Sequence, residues 1–231
     1  MVRKSKGVRG LDTGRAQLLR VAAFCTALTV GTASQAGTLN AKVSTPDGKP
    51  LAMAVVTAIP VGAAPAVAKP GSKAVMVQAS KQFMPFVLPV QMGTTVEFPN
   101  RDPFRHQVYS FSPAKTFELK LYGSAESGTV TFDKEGVVPL GCNIHDNMLA
   151  YIYVVGTPYF AVTADAGENK IADLPAGRYT VNVWHPNQKA GQGQAGVVQI
   201  AASGEATVTV QMELKRNRGQ RKPGAVDENE Y

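Results

Sequence analysis

A chain of 231 residues with 44% hydrophobic and 7% aromatic side chains is long enough for two small folded domains, and by composition it is neither a disordered chain nor a membrane-embedded one. Its formal charge of +7 is concentrated at the two ends, and the body from residue 37 to 214 is formally neutral. That balance removes the electrostatic footprint a nucleic-acid-binding protein needs.

Residues 1–36 read as a secretory signal peptide. Arg3, Lys4, Lys6, Arg9, Arg15 and Arg20 lead into the apolar run 21–33, which is too short to span a bilayer. Ser34 and Ala36 then stand three and one residues before a cut ahead of Gly37. A lipid anchor on Cys25 is the competing reading, and Phe24 sits where that processing expects a small residue. Removing the leader takes six basic side chains, one acidic one and one of the two cysteines, which brings the charge to +2. The expected mature chain is periplasmic, has no membrane span, and keeps Cys142 as its lone thiol in an oxidising compartment.

After the leader, residues 39–45 alternate apolar and polar side chains, Pro46-Asp47-Gly48-Lys49-Pro50 is a turn, and 52–60 is a second β-branched run. The pattern predicts a hairpin. Residues 63–72, rich in Ala, Pro and Gly without periodicity, read as a linker or crossing loop. Short strand candidates then follow at 75–78, 86–90, 94–98, 106–111, 117–121, 128–132 and 149–155. A second composition shift at Gly156-Thr157-Pro158 precedes strand-like segments at 159–163, 170–172, 178–184, 197–201 and 205–214. No segment holds a helical period, so the expected fold class is all-β, built of sandwiches. Residues 215–231 carry almost no apolar side chains in their first half and read as a disordered tail. The expected division is 1–36 leader, 37–66 first part of an outer sandwich, 72–156 central sandwich, 157–214 second part of the outer one, and 215–231 tail.

The chemistry concentrates on Cys142-Asn143-Ile144-His145-Asp146-Asn147-Met148, which puts a thiol, an imidazole and a thioether on one short loop. With His106 upstream, the set is two His, one Cys and a weak Met, the donors of a blue-copper electron-transfer site. Soft sulfur favours Cu(I) and imidazole also suits Cu(II), so one ion can cycle between the two with little rearrangement. Singly, each residue has a blander reading. His106 could be a hydrogen-bonded strand histidine, Met148 core filler, His145 a surface residue, and Cys142 a buried small hydrophobe. Their conjunction at one end of a sandwich favours metal. Structural zinc wants four strong donors, and Met is a poor one. The C-x-x-C-H of covalent haem and the glycine-rich loops that hold phosphate are absent from the sequence. A Cys142–His145 hydrolase would lack an orienting third group, so no enzyme is expected.

These residues also carry a resemblance. Phe83-Met-Pro85, the run from Val90 to Asp102 (V-Q-M-G-T-T-V-E-F-P-N-R-D), His106 and the 142–148 loop resemble the cupredoxins, and the C-x2-H-x2-M loop looks like that of amicyanin. The stretches beginning Phe132-Asp-Lys-Glu-Gly, Leu140-Gly-Cys-Asn-Ile-His and Val183-Trp-His-Pro186 are similar to exported methylamine-utilisation proteins. The resemblance covers roughly residues 74–155 and implies a Greek-key sandwich with one copper held by His106, Cys142, His145 and Met148. Two positions depart from the family: Gln107 where Asn usually follows the first His, and Gly141 where an aromatic often precedes the Cys. Both would tune a bound metal rather than decide its presence.

The flanks, Gly37-Thr-Leu-Asn-Ala-Lys-Val43 and Asp47-Gly-Lys-Pro-Leu51 together with the run Ile171 to Val183, look like a carboxypeptidase regulatory-like, transthyretin-type sandwich into which the cupredoxin is inserted. The duller alternative gives residues 37–60 to the cupredoxin itself. His185 falls in the outer part and reads as a structural histidine beside Trp184. The expected protein is a monomeric one-electron carrier meeting redox protein partners transiently at an apolar rim that includes Phe104, Pro139 and Leu140. A copper-binding or structural interaction module without electron transfer is the alternative.

Overall fold

The computed structural model describes residues 36–215. The expected leader, but for its last residue, and the expected tail, but for its first, lie outside the described residues. Every regular element among the described residues is a strand. First come β1 (Ala36–Ser44) and β2 (Val55–Pro60). Beyond the 61–72 connection follow β3 (Lys73–Val75), β4 (Val77–Ala79), β5 (Gln82–Met84), β6 (Val87–Gln91), β7 (Thr94–Pro99), β8 (His106–Ser112), β9 (Lys115–Tyr122), β10 (Ser127–Phe132), β11 (Gly136–Gly141) and β12 (Leu149–Val155). Last are β13 (Phe160–Val162), β14 (Glu168–Pro175), β15 (Gly177–Trp184), β16 (Gln194–Ile200) and β17 (Glu205–Gln211). No helix among the described residues is long and apolar enough to cross a membrane.

The middle strands form a sandwich. A five-stranded sheet, β6-β12-β11-β8-β9, packs on a three-stranded one, β10-β7-β3, with the β4-β5 hairpin as a separate pair. Period-two alternation supplies the core. β12 buries Ala150, Ile152 and Val154, alternating with half-buried Leu149, Tyr151 and Tyr153, and the small sheet answers with Val96, Phe98 and Phe132. Cys142 and Met148 belong to this same apolar cluster, so the loop that carries them is seated on the core.

The flanking strands enclose a second cluster, including Leu39, Val43, Val56, Leu174, Val181 and Ile200, between the sheets β14-β1-β17 and β13-β2-β15-β16. Here the expected hairpin is corrected. β1 pairs with β14 and β17, whereas β2 pairs with β13 and β15 in the other sheet. The Pro46–Pro50 turn does reverse the chain, but both runs carry apolar faces that bury from opposite sides of one core. The return therefore crosses between layers instead of staying in one.

Two strands escaped the sequence pattern. β5 follows a two-residue turn, Ser80-Lys81, whose φ values of 53° and 54° are left-handed although neither residue is Gly or Asn. β11 contains Pro139, which argues against an inner strand. It is tolerated because the β11–β8 ladder is confined to Gly141 opposite Tyr109.

The connection at 61–72 lies beside the ends of β6 and β12. The Ala66 N–H donates to the Gly156 carbonyl at 2.7 Å and the Ala68 N–H to the Met92 carbonyl at 2.7 Å. Trp184 of β15 packs on Tyr151 and Tyr153 of β12, with ring centroids 5.7 and 5.1 Å apart.

Candidate metal centre

β11 ends at Gly141 and β12 begins at Leu149, opposite each other in the ladder, so residues 142–148 form a loop pinned at both ends by paired strands. A hydrogen bond from the Met148 N–H to the His145 carbonyl, 3.0 Å, folds its second half into a turn. His106 opens β8 in the same sheet. One potential ligand atom each from His106, Cys142 and His145 lies within 4.8 Å of the others, and Cys142 Sγ is 3.9 Å from His145 Nδ1. The fold thus brings together three residues that lie up to 39 positions apart. His106 and Cys142 are buried and His145 is half-buried. Met148 is buried in the same apolar cluster as Cys142, and both line a cleft of about 560 Å³ together with Tyr109 and Phe111.

The orientation of His106 is fixed by a residue that the sequence pattern did not single out. Asp102 Oδ2 lies 2.7 Å from His106 Nε2. The Asp102 carboxylate also accepts the Ser80 and Lys81 backbone N–H groups at 2.6 and 2.9 Å. The left-handed Ser80-Lys81 turn is thereby compensated, since its two amides both point at one carboxylate. Burial pushes the Asp102 carboxyl up, but the His106 hydrogen bond and the Lys81 and Ser80 amides outweigh it and hold it below the usual 3.8. The Asp102 N–H in turn donates to Asn100 Oδ1, and buried Asn100 Nδ2 donates to the carbonyls of Phe104 and Tyr122.

With Nε2 committed to Asp102, His106 keeps Nδ1, which is fully buried and has no hydrogen-bond partner among the described residues. A buried, unsatisfied polar atom costs about 1–3 kcal/mol. A cation shared with a neighbouring thiolate and a second imidazole removes that cost. A carboxylate holding the far nitrogen of a metal-binding imidazole is the usual supporting arrangement. The residues present therefore fit a soft-to-borderline ion such as copper. They do not complete a four-strong-donor zinc site, because no Asp or Glu joins the three-residue group among the described residues.

The surroundings amend other expectations. Leu140, expected on an apolar rim, is 1% exposed because strand alternation turns it into the core, whereas Pro139 beside it faces out. Ile144 (49%) and Phe104 (38%) are the exposed apolar residues closest in sequence to the two imidazoles. Gln107 reaches outward to the Glu118 carboxylate of β9. At Gly141 a Cβ would lie 2.6 Å from the Tyr109 ring carbon and hydroxyl, so Tyr109 fills the space that an aromatic at 141 would take. Behind the site, burial, together with the charge of Cys142, pushes the Tyr122 phenol up to about 12 against an opposing hydrogen bond from Gln78. The polar residues Asn100 and Asp102, just after the buried β7, were the signal available in the sequence for this support. His185 is buried away from the donor group, its Nδ1 accepting the Asn187 N–H at 3.1 Å.

No protein-family model and no curated protein matches the chain. Among solved structures, it is similar to a copper-containing nitrite reductase from Thermus scotoductus SA-01 (30% identity, TM-score 0.37), the match covering 42% of this chain and 25% of the reductase. It is also similar to a purple cupredoxin from Nitrosopumilus maritimus (20%, TM-score 0.32), over 36% of this chain and 98% of that one. Amicyanin from Paracoccus versutus aligns at 16% identity and TM-score 0.33, over 42% of this chain and 97% of amicyanin. The chain spans about a quarter of the reductase it matches.

Proposed function

We propose that the protein is an exported mononuclear copper protein of the cupredoxin type that carries single electrons. His106, Cys142 and His145 are its strong donors and Met148 the weak fourth. The observation that carries this reading is the buried Nδ1 of His106, without a hydrogen-bond partner among the described residues and beside the Cys142 thiol and a second imidazole. Bound copper would supply a one-electron couple. The protein's own contribution is position: Asp102 keeps the His106 proton on Nε2 and its Nδ1 lone pair available, and the paired ends of β11 and β12 hold Cys142 in register. A loop pinned this way changes little between oxidation states, which keeps reorganisation small. Half-buried His145 is the donor through which a partner would exchange electrons, in a small and transient interface. On this reading the two apolar clusters are two domains, a cupredoxin within a regulatory-like sandwich, and the protein is not an enzyme.

The test is a copper titration of the purified mature chain, followed by optical and EPR spectra, with Cys142→Ser and His106→Ala beside it. A thiolate-to-copper band that is bleached by reductant, restored by oxidant and lost in Cys142→Ser is expected. A wild type that stays colourless with saturating copper sinks the reading. A second reading, an exported copper-holding or structural module, draws on the size of the outer core and its Trp184 contact with β12. Copper bound without reversible reduction would favour it.

A further inference from the structure

Three rings close a triangle at the candidate centre. The Phe104 centroid is 5.2 Å from that of His106 at an interplanar angle of 77°, and 5.5 Å from that of His145 at 51°. The two imidazoles are themselves 4.9 Å apart at 61°. Phe104 is thus the one carbocyclic ring in contact with both imidazoles among the described residues, and it spans the two loops that bring them together.

The two imidazoles sit in different settings. His106 is fixed by β8, by complete burial and by Asp102. His145 is half-buried on a loop whose neighbours Asn143, Ile144, Asp146 and Asn147 are all exposed. An edge-to-face or tilted aromatic contact sets the angle of a ring as well as its distance, which an aliphatic side chain of similar bulk does not do. Phe104 can apply that constraint because its own backbone is anchored: buried Asn100 Nδ2 donates to the Phe104 carbonyl at 2.8 Å. The residue as a whole is 38% exposed, so it meets both the imidazoles and water.

We propose that Phe104 is a positioning residue for the imidazole pair: its ring sets the angle of His145 against His106 and closes that side of the donor group to water and small anions. A metal site with an open position can bind and transform small ligands, whereas a closed one can only pass electrons, so this ring would help decide which kind of site the chain builds. The closure of the loaded site rests on the copper reading above. The ring-positioning role does not need a metal.

The experiment compares Phe104→Ala, Phe104→Leu and Phe104→Tyr with wild type. Val197→Ala serves as control, because Val197 is exposed on β16, away from the three rings. In the metal-free protein, the NOEs between the His106 and His145 rings are read, because the shifts alone would move with the lost ring current of Phe104 whatever the geometry. The NOE pattern should change and the His145 signals broaden in Phe104→Ala and Phe104→Leu, and stay near wild type in Phe104→Tyr and Val197→Ala. In the copper-loaded protein, azide is titrated: Phe104→Ala should bind it about tenfold tighter or more, while the tyrosine variant excludes it as wild type does. An unchanged His106–His145 NOE pattern in Phe104→Ala, or a leucine variant that matches tyrosine in both measurements, would overturn the proposal. If wild type takes up no copper, the metal-free NOEs still decide it, and the failure belongs to the copper reading. If Phe104→Ala does not fold, the contrast between the leucine and tyrosine variants decides in its place.

Discussion

Asp102 shows how much of a site can hang on one side chain outside its donor set. Its carboxylate takes three donors, the His106 ring nitrogen and two backbone amides of a left-handed turn, and all three lose their partner or gain a poor one if it changes. Asp102→Asn keeps the volume but turns one carboxylate oxygen into a donor. Copper affinity should fall about 10- to 100-fold, measured by competition with a chelator. Metal-free stability should drop by about 1–3 kcal/mol by denaturant titration, and an unchanged midpoint would mean that the turn does not depend on the carboxylate. Gly141 is a second such residue, since a single methyl there would meet Tyr109 ring atoms at 2.6 Å. Gly141→Ala should cost about 1–3 kcal/mol as overpacking, and most of that cost should vanish in a Tyr109→Ala background. Equal costs in both backgrounds would show that Tyr109 is not what excludes the side chain.

Element by element, alternation located most strands because each buries one face, and it failed where another interaction decided. The β4–β5 hairpin turns without Gly or Asn because a distant carboxylate receives its amides, and β11 accepts Pro139 because its ladder to β8 is confined to Gly141 opposite Tyr109. β1 and β2 have the pattern of a hairpin, but the strands that compete for their edges, β14, β17, β13 and β15, all come more than 100 residues later. The contact between β15 and β12 couples the outer strands to the strand leaving the ligand loop. Trp184 there lies over Tyr151 and Tyr153. Trp184→Ala should lower stability by about 2 kcal/mol, less than for a fully buried tryptophan, and Trp184→Phe should recover most of it. Circular dichroism is the measure, because the substitution removes the only tryptophan fluorophore.

For the molecule as a whole, acid stability should be governed first by His185. Burial pushes its imidazole down to about 4 from 6.5, against a hydrogen bond with the Ala52 backbone. Between those values the unfolded chain holds a proton that the folded one does not. Stability is therefore unaffected above about pH 6.5 and falls as the pH drops from there toward 4, by at most about 3 kcal/mol in total. The lowered carboxyls of Asp102, Asp47 and Asp133 keep their contributions through that window and lose them only below 3.8. His185→Gln should flatten the curve of stability against pH between 6.5 and 4, and a slope that survives the substitution would place its cause elsewhere. What the sequence determined by itself was local: an all-β chain and the Cys142-x2-His145-x2-Met148 loop, with His106 only a candidate to join it. These are set by side-chain type and spacing, which act over a few residues. The convergence of His106 on the loop, the hand of Asp102 on its far nitrogen, the Phe104 ring across both imidazoles and the separation of β1 from β2 were decided only in three dimensions. Each depends on which distant surfaces bury one another, and that competition leaves no mark on neighbouring residues.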